Sequence, residues 1–296
     1  MRILITNHWL KKAGGSETFT YAMAQELSLR GHVVECFTNV PGDISRRIKE
    51  TFGVRIHTTT GTLRDYDLVL ANHNTCVRAV KLANCGPIYQ TCHGTTPRLE
   101  QPEPGAYKYI AISAEVCRHI AGAGFDCNAI IHNGINLIRF RPTQKLNRTP
   151  KFALSLAQSE DGNRIIAEAC RQNGIKLITH NKHRNPRMDI ENVMNKVDIV
   201  FTLGRGAYEA LACGRNVAVF DWRKKYQGGL GDGMITPDNI DDFLDTNCSG
   251  RHNKLPLTVE NINKAIAQYQ PDAKINRVIA EERFDIRKAV DKYLSI

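Results

Sequence analysis

One stretch of the chain, residues 198–221, constrains the fold more than any other. Its sequence, DIVFTLGRGAYEALACGRNVAVFD, begins with a β-branched and aromatic run typical of a strand that is covered on both faces. Gly204, Arg205 and Gly206 interrupt this run, a short helix-forming segment follows, and residues 216–220 form a second apolar run. The stretch therefore predicts a strand, a glycine turn, a helix and another strand.

The glycine turn of this unit has a chemical consequence. A strand that leads through a turn into a helix places backbone N–H groups and the positive end of the helix dipole at the carboxyl end of the strand. Phosphate binds at such positions, and ligands of open α/β sheets bind at this edge. The turn thus indicates a phosphate site, and the Arg205 guanidinium could bind phosphate oxygens there. The alternative is an ordinary βαβ unit without a ligand, because short glycine patterns are common.

Short apolar strands and helices alternate along most of the 296 residues. This alternation predicts an α/β protein with parallel sheets. Residues 133–150 are polar and basic and contain two prolines, which indicates a linker between two α/β halves. A glycine-rich loop is predicted at 227–233, and two closing helices at 259–269 and 272–294. Two such halves would leave a cleft between them, and ligand sites are common at domain interfaces.

Composition narrows the class of protein. A hydrophobic content of 42% and a charged content of 24% are those of a soluble globular chain, and no apolar run is long enough to span a membrane. The N-terminus lacks the layout of a secretory signal. The nine cysteines include no CxxC pair, so reduced, mostly buried thiols, no zinc site and a cytoplasmic location are expected.

The net charge of +10 favours an anionic partner, namely a nucleotide, a nucleic acid or an anionic membrane face. Two segments concentrate the positive charge. One is the predicted linker from Arg139 to Lys151, and the other is the loop from His180 to Arg187. For any single residue in these clusters, a solvated surface position is the competing interpretation.

Four stretches together resemble nucleotide-sugar glycosyltransferases with the GT-B fold, most closely family 4. They cover both halves of the chain and occur in the family's order: MRILITNHWLKKAGGSE, YQTCHGTTP, the run YIAISAEVCRHI with IIHNGINLIRFRP, and YEALACGRNVAVFD. The resemblance implies two Rossmann-like domains facing a cleft, with a C-terminal helix that crosses back to the first domain. We expect an acceptor-side domain at 1–140, a nucleotide-sugar domain at 141–275 and the returning helix at 276–296.

The resemblance also implies roles for residues that match these motifs. Gly14 and Gly15 would open a loop near the donor phosphate and the acceptor, although they could simply form a turn before a helix. His93 would hydrogen-bond the donor sugar, although it could be a structural loop histidine. Glu209 would accept from the ribose hydroxyls, although it could be a solvent-facing glutamate. Asp232, between two glycines, could contact the sugar or only shape a turn.

The chain departs from the family pattern where the donor pyrophosphate would bind. The usual Arg…Lys pair after the first strand of the second half is replaced by Ser159, Glu160 and Asp161, and the earlier glutamate of the E-x7-E pattern is replaced by Phe201. A cation must come from elsewhere. The candidates are Arg205, between Gly204 and Gly206, and two residues of the basic loop, Lys182 and Arg184.

The resemblance thus implies a glycosyltransferase that uses a nucleoside-diphosphate sugar as co-substrate, with retention of configuration, and we expect no other cofactor and no metal. The acceptor would be a glycan, a lipid-linked molecule or a small molecule, and a lipid acceptor would put the enzyme at the inner membrane face. One alternative is a DNA glycosyltransferase, which must flip out its target base. The other is a nucleotide- or nucleic-acid-binding protein on a degenerate GT-B scaffold. The donor base, the sugar and the oligomeric state stay open.

Overall fold

The computed structural model describes residues 1–223 and 229–296. These residues divide into two compact units. Unit 1 comprises Met1–Gly134 together with Ile286–Ile296, and unit 2 comprises Ile135–Asp285. None of the helices in the described ranges is long and apolar enough to span a membrane.

Each unit is built on one β-sheet. Unit 1 contributes seven strands: β1 (Arg2–Thr6), β2 (Val33–Phe37), β3 (Arg55–His57), β4 (Leu68–Asn72), β5 (Ile88–Cys92), β6 (Lys108–Ala111) and β7 (Cys127–Ile130). Unit 2 contributes six: β8 (Phe152–Ser155), β9 (Lys176–Thr179), β10 (Ile199–Thr202), β11 (Asn216–Asp221), β12 (Leu230–Met234) and β13 (Leu255–Pro256).

The α-helices connect these strands. They are α1 (Gly15–Leu29), α2 (Asp43–Phe52), α3 (Asn74–Ala83), α4 (Ala114–Gly122), α5 (Glu160–Gln172), α6 (Ile190–Met194), α7 (Arg205–Ala212), α8 (Ile240–Leu244), α9 (Val259–Ala267), α10 (Ala273–Arg283) and α11 (Ile286–Ser295). The last helix, α11, belongs to unit 1 and packs against α1. The chain therefore returns to its first unit at the end, as expected.

The strand order places a topological switch point in each sheet. The unit 1 sheet is entirely parallel in the order β3-β2-β1-β4-β5-β6-β7, so the chain reverses its direction of travel beside β1. The unit 2 sheet has the order β13-β12-β11-β10-β8-β9, parallel from β9 to β11 and antiparallel beyond it. Its switch point lies between β8 and β10. Ligand crevices are expected at the carboxyl ends of the strands beside these points.

The central strands of unit 2 are covered on both faces. In β10, Val200 belongs to one core cluster, whereas Ile199 and Phe201 belong to another. All three side chains are 0–1% exposed. Burial on both faces explains why this strand is a continuous apolar run without alternation, which confirms the prediction for this stretch.

The segment predicted as a linker is part of unit 2. The division between the units lies at Gly134 and Ile135, ahead of the boundary expected at residue 140. Ile135, Leu137 and Phe140 are buried in the unit 2 core. Arg277 fastens the same segment, because its guanidinium donates to the carbonyl oxygens of Leu137 and Phe140, at 3.0 and 2.6 Å.

Four other expectations were wrong in detail. Helix α2 was not predicted, because only Ile44 and Ile48 mark its apolar face among charged residues. The closing segment 272–294 is two helices, α10 and α11, separated at Phe284 and Asp285. Residues 230–233, predicted as loop, lie in strand β12, while Gln227 and Gly228 fall outside the described residues.

The fourth concerns the cysteines. Cys117 and Cys127 are joined as a disulfide between α4 and β7, so the expectation of reduced thiols throughout was wrong for this pair. The two residues lie close because α4 turns directly into β7. The other seven cysteines are free and buried, as predicted.

A buried carboxylate connects three segments of unit 1. Glu35, on β2, accepts hydrogen bonds from the Tyr66 hydroxyl at 2.6 Å and from Arg2 at 3.0 Å. The oxygen that accepts from Tyr66, Oε2, also lies 2.5 Å from His57 Nε2. Burial opposes ionisation of this carboxyl, but the hydrogen bonds from Tyr66, His57 and Arg2 outweigh it and lower the pKa of Glu35 to about 2.

Candidate functional site

The glycine turn of unit 2 has the geometry that its sequence predicted. Gly204 precedes α7 with φ 54° and ψ −132°, a backbone conformation that residues with a Cβ rarely adopt. At Gly206, a Cβ would lie 2.4 Å from Oγ1 of Thr202, so a side chain would push helix α7 away from the end of β10. The two glycines therefore bring the first turn of α7 close to the carboxyl end of the strand.

Arg205 and Glu209, one helical turn apart, form an ion pair at the start of α7. The Arg205 Nε donates to Glu209 Oε1 at 3.0 Å, and the two side chains are only 8% and 11% exposed. Burial raises the pKa of Glu209, although the charges of Arg205 and Arg139 oppose the rise. Burial likewise lowers the pKa of Arg205 despite the adjacent carboxylate. Both shifts indicate that the pair is held in a partly dehydrated setting.

A second pair lies beside the first. Arg139 contacts Glu191 through two parallel hydrogen bonds, Nε to Oε1 at 2.9 Å and Nη2 to Oε2 at 2.8 Å. Arg139 and Glu191 both act electrostatically on Glu209. Two arginines and two glutamates thus meet near the start of α7 at the carboxyl edge of the sheet. The sequence singled out Arg205 and Glu209 but missed Glu191, which lies 52 residues from its partner.

The other two candidate cations lie on a neighbouring loop after β9. The backbone N–H of Lys182 donates to Oε1 of Gln158 at 3.0 Å, and Arg184 Nη2 donates to Oε1 of Glu160 at 2.8 Å. Glu160 begins helix α5, directly after the N-cap Ser159. Arg184 therefore reaches the segment in which the family's Arg…Lys pair is missing. Its ion pair is exposed, in contrast to that of Arg205.

Asp232 has a different environment from the other candidates. It is 3% exposed on β12, and its carboxylate accepts the backbone N–H groups of Gly250, His252 and Asn253 at 2.7, 2.9 and 2.9 Å. These contacts fix the loop before β13. Of the two roles that the sequence left open for Asp232, this arrangement matches the shaping of a turn.

In unit 1, Gly14 and Gly15 start helix α1. Gly14 is the N-cap, in extended backbone with φ −153°, and its carbonyl oxygen accepts the N–H and the hydroxyl of Thr18 at 2.9 and 2.7 Å. Gly15 has no atom within 4 Å of where its Cβ would lie. Neither glycine has the positive φ that would require this residue type. A Cβ at Gly14 would lie 2.4 Å from the carboxylate of Glu17, whereas nothing in the local fold explains the glycine at position 15.

His93 follows β5 and is oriented by two neighbours. Asn72 donates through Nδ2 to the Thr6 carbonyl at 2.8 Å, which leaves its Oδ1 to accept from His93 Nε2 at 2.7 Å. The His93 backbone N–H donates to Oε2 of Glu100 at 2.9 Å. The Phe19 ring, on α1, packs against the His93 ring in an edge-to-face arrangement with centroids 5.0 Å apart. The imidazole thus has a defined tautomer and a fixed position.

Glu100 joins His93 to a second histidine, His73, which is not among the candidates named from the sequence. His73 Nδ1 accepts the backbone N–H of His8 at 3.2 Å, so the proton lies on Nε2, which contacts Glu100 Oε1 at 3.2 Å. Burial opposes ionisation of Glu100, but the His73 hydrogen bond and the charges of both histidines lower its pKa. His8, His73 and His93 follow β1, β4 and β5, and this position at the ends of adjacent strands was the signal that could have grouped them.

The two sets of residues lie at the carboxyl edges of their own sheets. In residues 1–223 and 229–296, no group of three or more His, Cys, Asp or Glu side chains converges as a metal site would. The unit 2 set offers a buried carboxylate, several guanidinium groups and a helix N-terminus, which suit hydroxyl and phosphate groups. The unit 1 set offers the hydrogen-bonding groups of His73 and His93, which the buried carboxylate of Glu100 holds in place.

The architecture matches solved glycosyltransferases over the whole chain. A glycosyltransferase from Rickettsia africae ESF-5 superposes with a TM-score of 0.66 and 14% identity, covering 99% of this chain and 97% of that one. The chain has the GT-B fold. The glycotransferase of kitacinnamycin gives a TM-score of 0.56 at 12% identity, and the calicheamicin glycosyltransferase CalG4 gives 0.52 at 11%. Each of these covers 99% of this chain and 98% of its own.

The GT-B assignment rests on structure and not on sequence. No protein-family model matches the sequence, and no curated protein matches it significantly. At 11–14% identity, a shared GT-B fold gives the arrangement of strands and helices but does not transfer a substrate.

Proposed function

We propose that the protein is a glycosyltransferase that moves a sugar from a nucleoside diphosphate to an acceptor. The observation that carries the proposal is the buried Arg205–Glu209 pair at the start of α7, at the carboxyl edge of the unit 2 sheet of a GT-B protein. A carboxylate that is desolvated and held by one arginine is a strong acceptor for a pair of ribose hydroxyls. We assign that contact to Glu209.

The diphosphate must be bound by positively charged groups. These groups stabilise the negative charge that develops on the diphosphate as its bond to the sugar breaks. The start of α7 supplies backbone N–H groups at the glycine turn, and Arg205 supplies a guanidinium. Arg184 and Lys182, on the loop that touches the start of α5, are the second source. We assign the phosphate contacts to these groups. They would stand in for the Arg…Lys pair that the sequence lacks, without a metal ion.

In unit 1 we assign the sugar contact to His93. Its ring is fixed by Asn72 and by Phe19, so little conformational freedom is lost when it binds. The open space at Gly15 supports an approach of donor or acceptor to the start of α1, because nothing in the fold requires a glycine there. Unit 1 would then provide the acceptor side, and unit 2 the nucleotide side.

In the reaction, the bond between the anomeric carbon and the diphosphate oxygen breaks, and a bond to an acceptor hydroxyl oxygen forms. We propose retention of configuration, without a covalent intermediate on the protein. A glycan, lipid-linked or small-molecule acceptor is our first choice. A DNA base is the second, and the net charge of +10 is the observation that favours it. A lipid-linked acceptor would bring the protein to an anionic membrane face.

A thermal-shift screen against UDP-, GDP-, ADP- and CMP-sugars tests the proposal. A ligand present at 100 times its Kd stabilises the folded state by about 2.7 kcal/mol, so the true donor should stand out. Slow hydrolysis of that same donor by the purified protein would identify an enzyme. Donor stabilisation without any hydrolysis or transfer would instead favour a nucleotide-binding scaffold, and the absence of stabilisation by all four would contradict the proposal.

A further inference from the structure

The edge of the unit 2 sheet that lies opposite the glycine turn is strongly basic. Six cations lie there on segment 141–151 and at the amino ends of β9 and β10. All six are exposed, and we call them the basic strip: Arg141, Lys145, Arg148, Lys151, Lys176 and Lys196. Lys176 and Lys151 are neighbours, because the N–H of Lys176 donates to the Lys151 carbonyl oxygen at 2.9 Å.

The charged groups of the strip are not neutralised by other residues in the described part of the protein. None of the six forms an ion pair with another described residue, whereas exposed arginines elsewhere in unit 2, such as Arg164 and Arg171, are paired with acids of their own helix. An acid of the same sheet edge, Asp198, is only 1% exposed. Its oxygens accept the N–H groups of Asn147, Lys151 and Phe152, so it does not neutralise the strip at the surface.

The backbone under the strip is fixed at several points. Asn195 Oδ1 accepts the N–H of Thr143 at 2.8 Å, and the buried Arg215 donates to the Gln144 carbonyl oxygen at 2.7 Å. The Tyr269 hydroxyl donates to the carbonyl oxygen of Asn147 at 2.7 Å. The segment 141–151 is therefore an anchored structure that presents its cations to solvent, and a partner would not have to order a loose linker.

We propose that the basic strip binds the sugar-phosphate backbone of nucleic acid, without sequence preference. Six unpaired cations on a fixed edge provide the phosphate contacts that dominate such affinity. An anionic bilayer is the less suitable partner. Among residues 138–152, two large hydrophobic side chains that flank the strip are exposed, Ile138 and Phe152, whereas peripheral membrane segments normally add a continuous apolar face to their charge.

This site is separate from the sugar-transfer site. The strip lies at the amino ends of β8, β9 and β10, whereas Arg205 and Glu209 follow the carboxyl end of β10. The four-residue strands between them are about 13 Å long. Nucleic acid on the strip would not occupy the position assigned to the nucleotide. The inference therefore goes beyond the proposed function and can be tested without it.

The test is fluorescence anisotropy with a labelled 25-base-pair duplex of arbitrary sequence, titrated between 50 and 300 mM salt. The variant Lys145→Gln/Arg148→Gln/Lys151→Gln/Lys176→Gln is compared with Lys49→Gln/Arg55→Gln/Arg118→Gln/Lys292→Gln. The second variant removes the same charge from exposed, unpaired cations of unit 1. We expect the strip variant to lose at least 10-fold in affinity and its log–log salt slope to fall by about 3 to 4, at about 0.9 for each lost contact. The control should change less than about 3-fold.

Acetylation footprinting of the wild-type protein gives a second readout that does not depend on a folded variant. Bound duplex should protect Lys145, Lys151, Lys176 and Lys196, and it should leave Lys49 and Lys292 as reactive as before. Equal losses of duplex affinity in the two variants, or equal protection of all these lysines, would show that binding depends only on net charge and would overturn the proposal. Binding to vesicles with 30% anionic lipid, lost in the strip variant, without binding to duplex would show a membrane surface and also overturn it.

Discussion

Arg205 Nε lies 3.0 Å from Glu209 Oε1, one helical turn apart on α7, and both side chains are buried. A buried ion pair of this kind contributes little net stability, because desolvation of the two charges offsets their attraction. Its position at the carboxyl edge of the unit 2 sheet is the one that our proposal assigns to the nucleotide. Loss of one partner would leave the other charge buried without compensation.

The first prediction concerns this pair. Glu209→Ala should abolish the thermal shift produced by the donor, because the ribose hydroxyls lose their acceptor and Arg205 is left uncompensated. A loss of 2–3 kcal/mol in binding, or about 30- to 150-fold in Kd, is expected for a hydrogen bond to a charged group. Titration calorimetry measures it. Glu168→Ala, on the exposed face of α5, is the matched control and should bind as wild type does. An unchanged Kd in Glu209→Ala would contradict the assignment.

His93→Ala should separate binding from transfer. The donor should still bind through unit 2, but sugar transfer should slow by about 10- to 100-fold, because the sugar loses a positioned hydrogen-bond partner. Steady-state kinetics with the donor identified by the screen would show a lower kcat with a similar donor KM. His32→Ala, beside Met1 at the other edge of the unit 1 sheet, should leave both values unchanged. Full activity in His93→Ala would remove this residue from the site.

Gly15→Ala tests whether the start of α1 faces a ligand. The fold has room for a Cβ at Gly15, and alanine is the better helix former, so stability should stay the same or rise by up to about 1 kcal/mol. Substrate binding should nevertheless weaken, because the methyl group would occupy the space that the ligand needs. Gly122→Ala, on α4, also has no atom near the new Cβ and is the control. If Gly15→Ala and Gly122→Ala change the stability and the substrate KM by the same amounts, Gly15 serves only to begin a helix.

The stability of the protein should depend on Glu35 in acid. Its pKa of about 2 in the folded state lies below the unfolded value of 4.5, so its ionised form is stabilised by folding. The contribution is fully present above pH 4.5 and is lost as the pH falls towards 2. The shift corresponds to about 3 kcal/mol. Urea unfolding of Glu35→Gln should show lower stability at pH 7 and a flatter dependence between pH 5 and 3 than the wild type shows.

Glu168→Gln is the control for that experiment, because the pKa of Glu168 is also lowered to about 2 but its partner Arg171 is exposed with it. Exposed pairs of this kind are screened by solvent, so little change is expected. A similar flattening in both variants would show that the buried network around Glu35 has no special role.

The sequence predicted the fold well where the signal was local. The apolar runs around Ile199 and Val217 are strands because parallel strands are buried on both faces, and Gly204 marks the turn because its φ is positive. Helix α2 escaped prediction because packing of Ile44 and Ile48, rather than a long apolar pattern, determines it. The predicted linker belongs to unit 2 because Arg277 and buried apolar side chains hold it, and neither contact can be inferred from a polar sequence.

The site was predicted one residue at a time, but its pairings were not. Arg205 and Glu209 are four residues apart on one helix, a spacing at which an ion pair can be anticipated. Arg139 and Glu191, or His73 and Glu100, are far apart in the sequence and meet only in the folded chain. Such contacts depend on the tertiary fold, so the sequence indicated candidate residues without the electrostatic environment that they share.

A crystal soaked with the nucleotide sugar that gives the largest thermal shift tests the central claim most directly. We predict density for the diphosphate at the start of α7, with ribose oxygens within hydrogen-bond distance of Glu209 and a phosphate oxygen near Arg205, Lys182 or Arg184. Density for the nucleotide elsewhere on the protein, with the edge beside Glu209 and Arg205 empty, would contradict it.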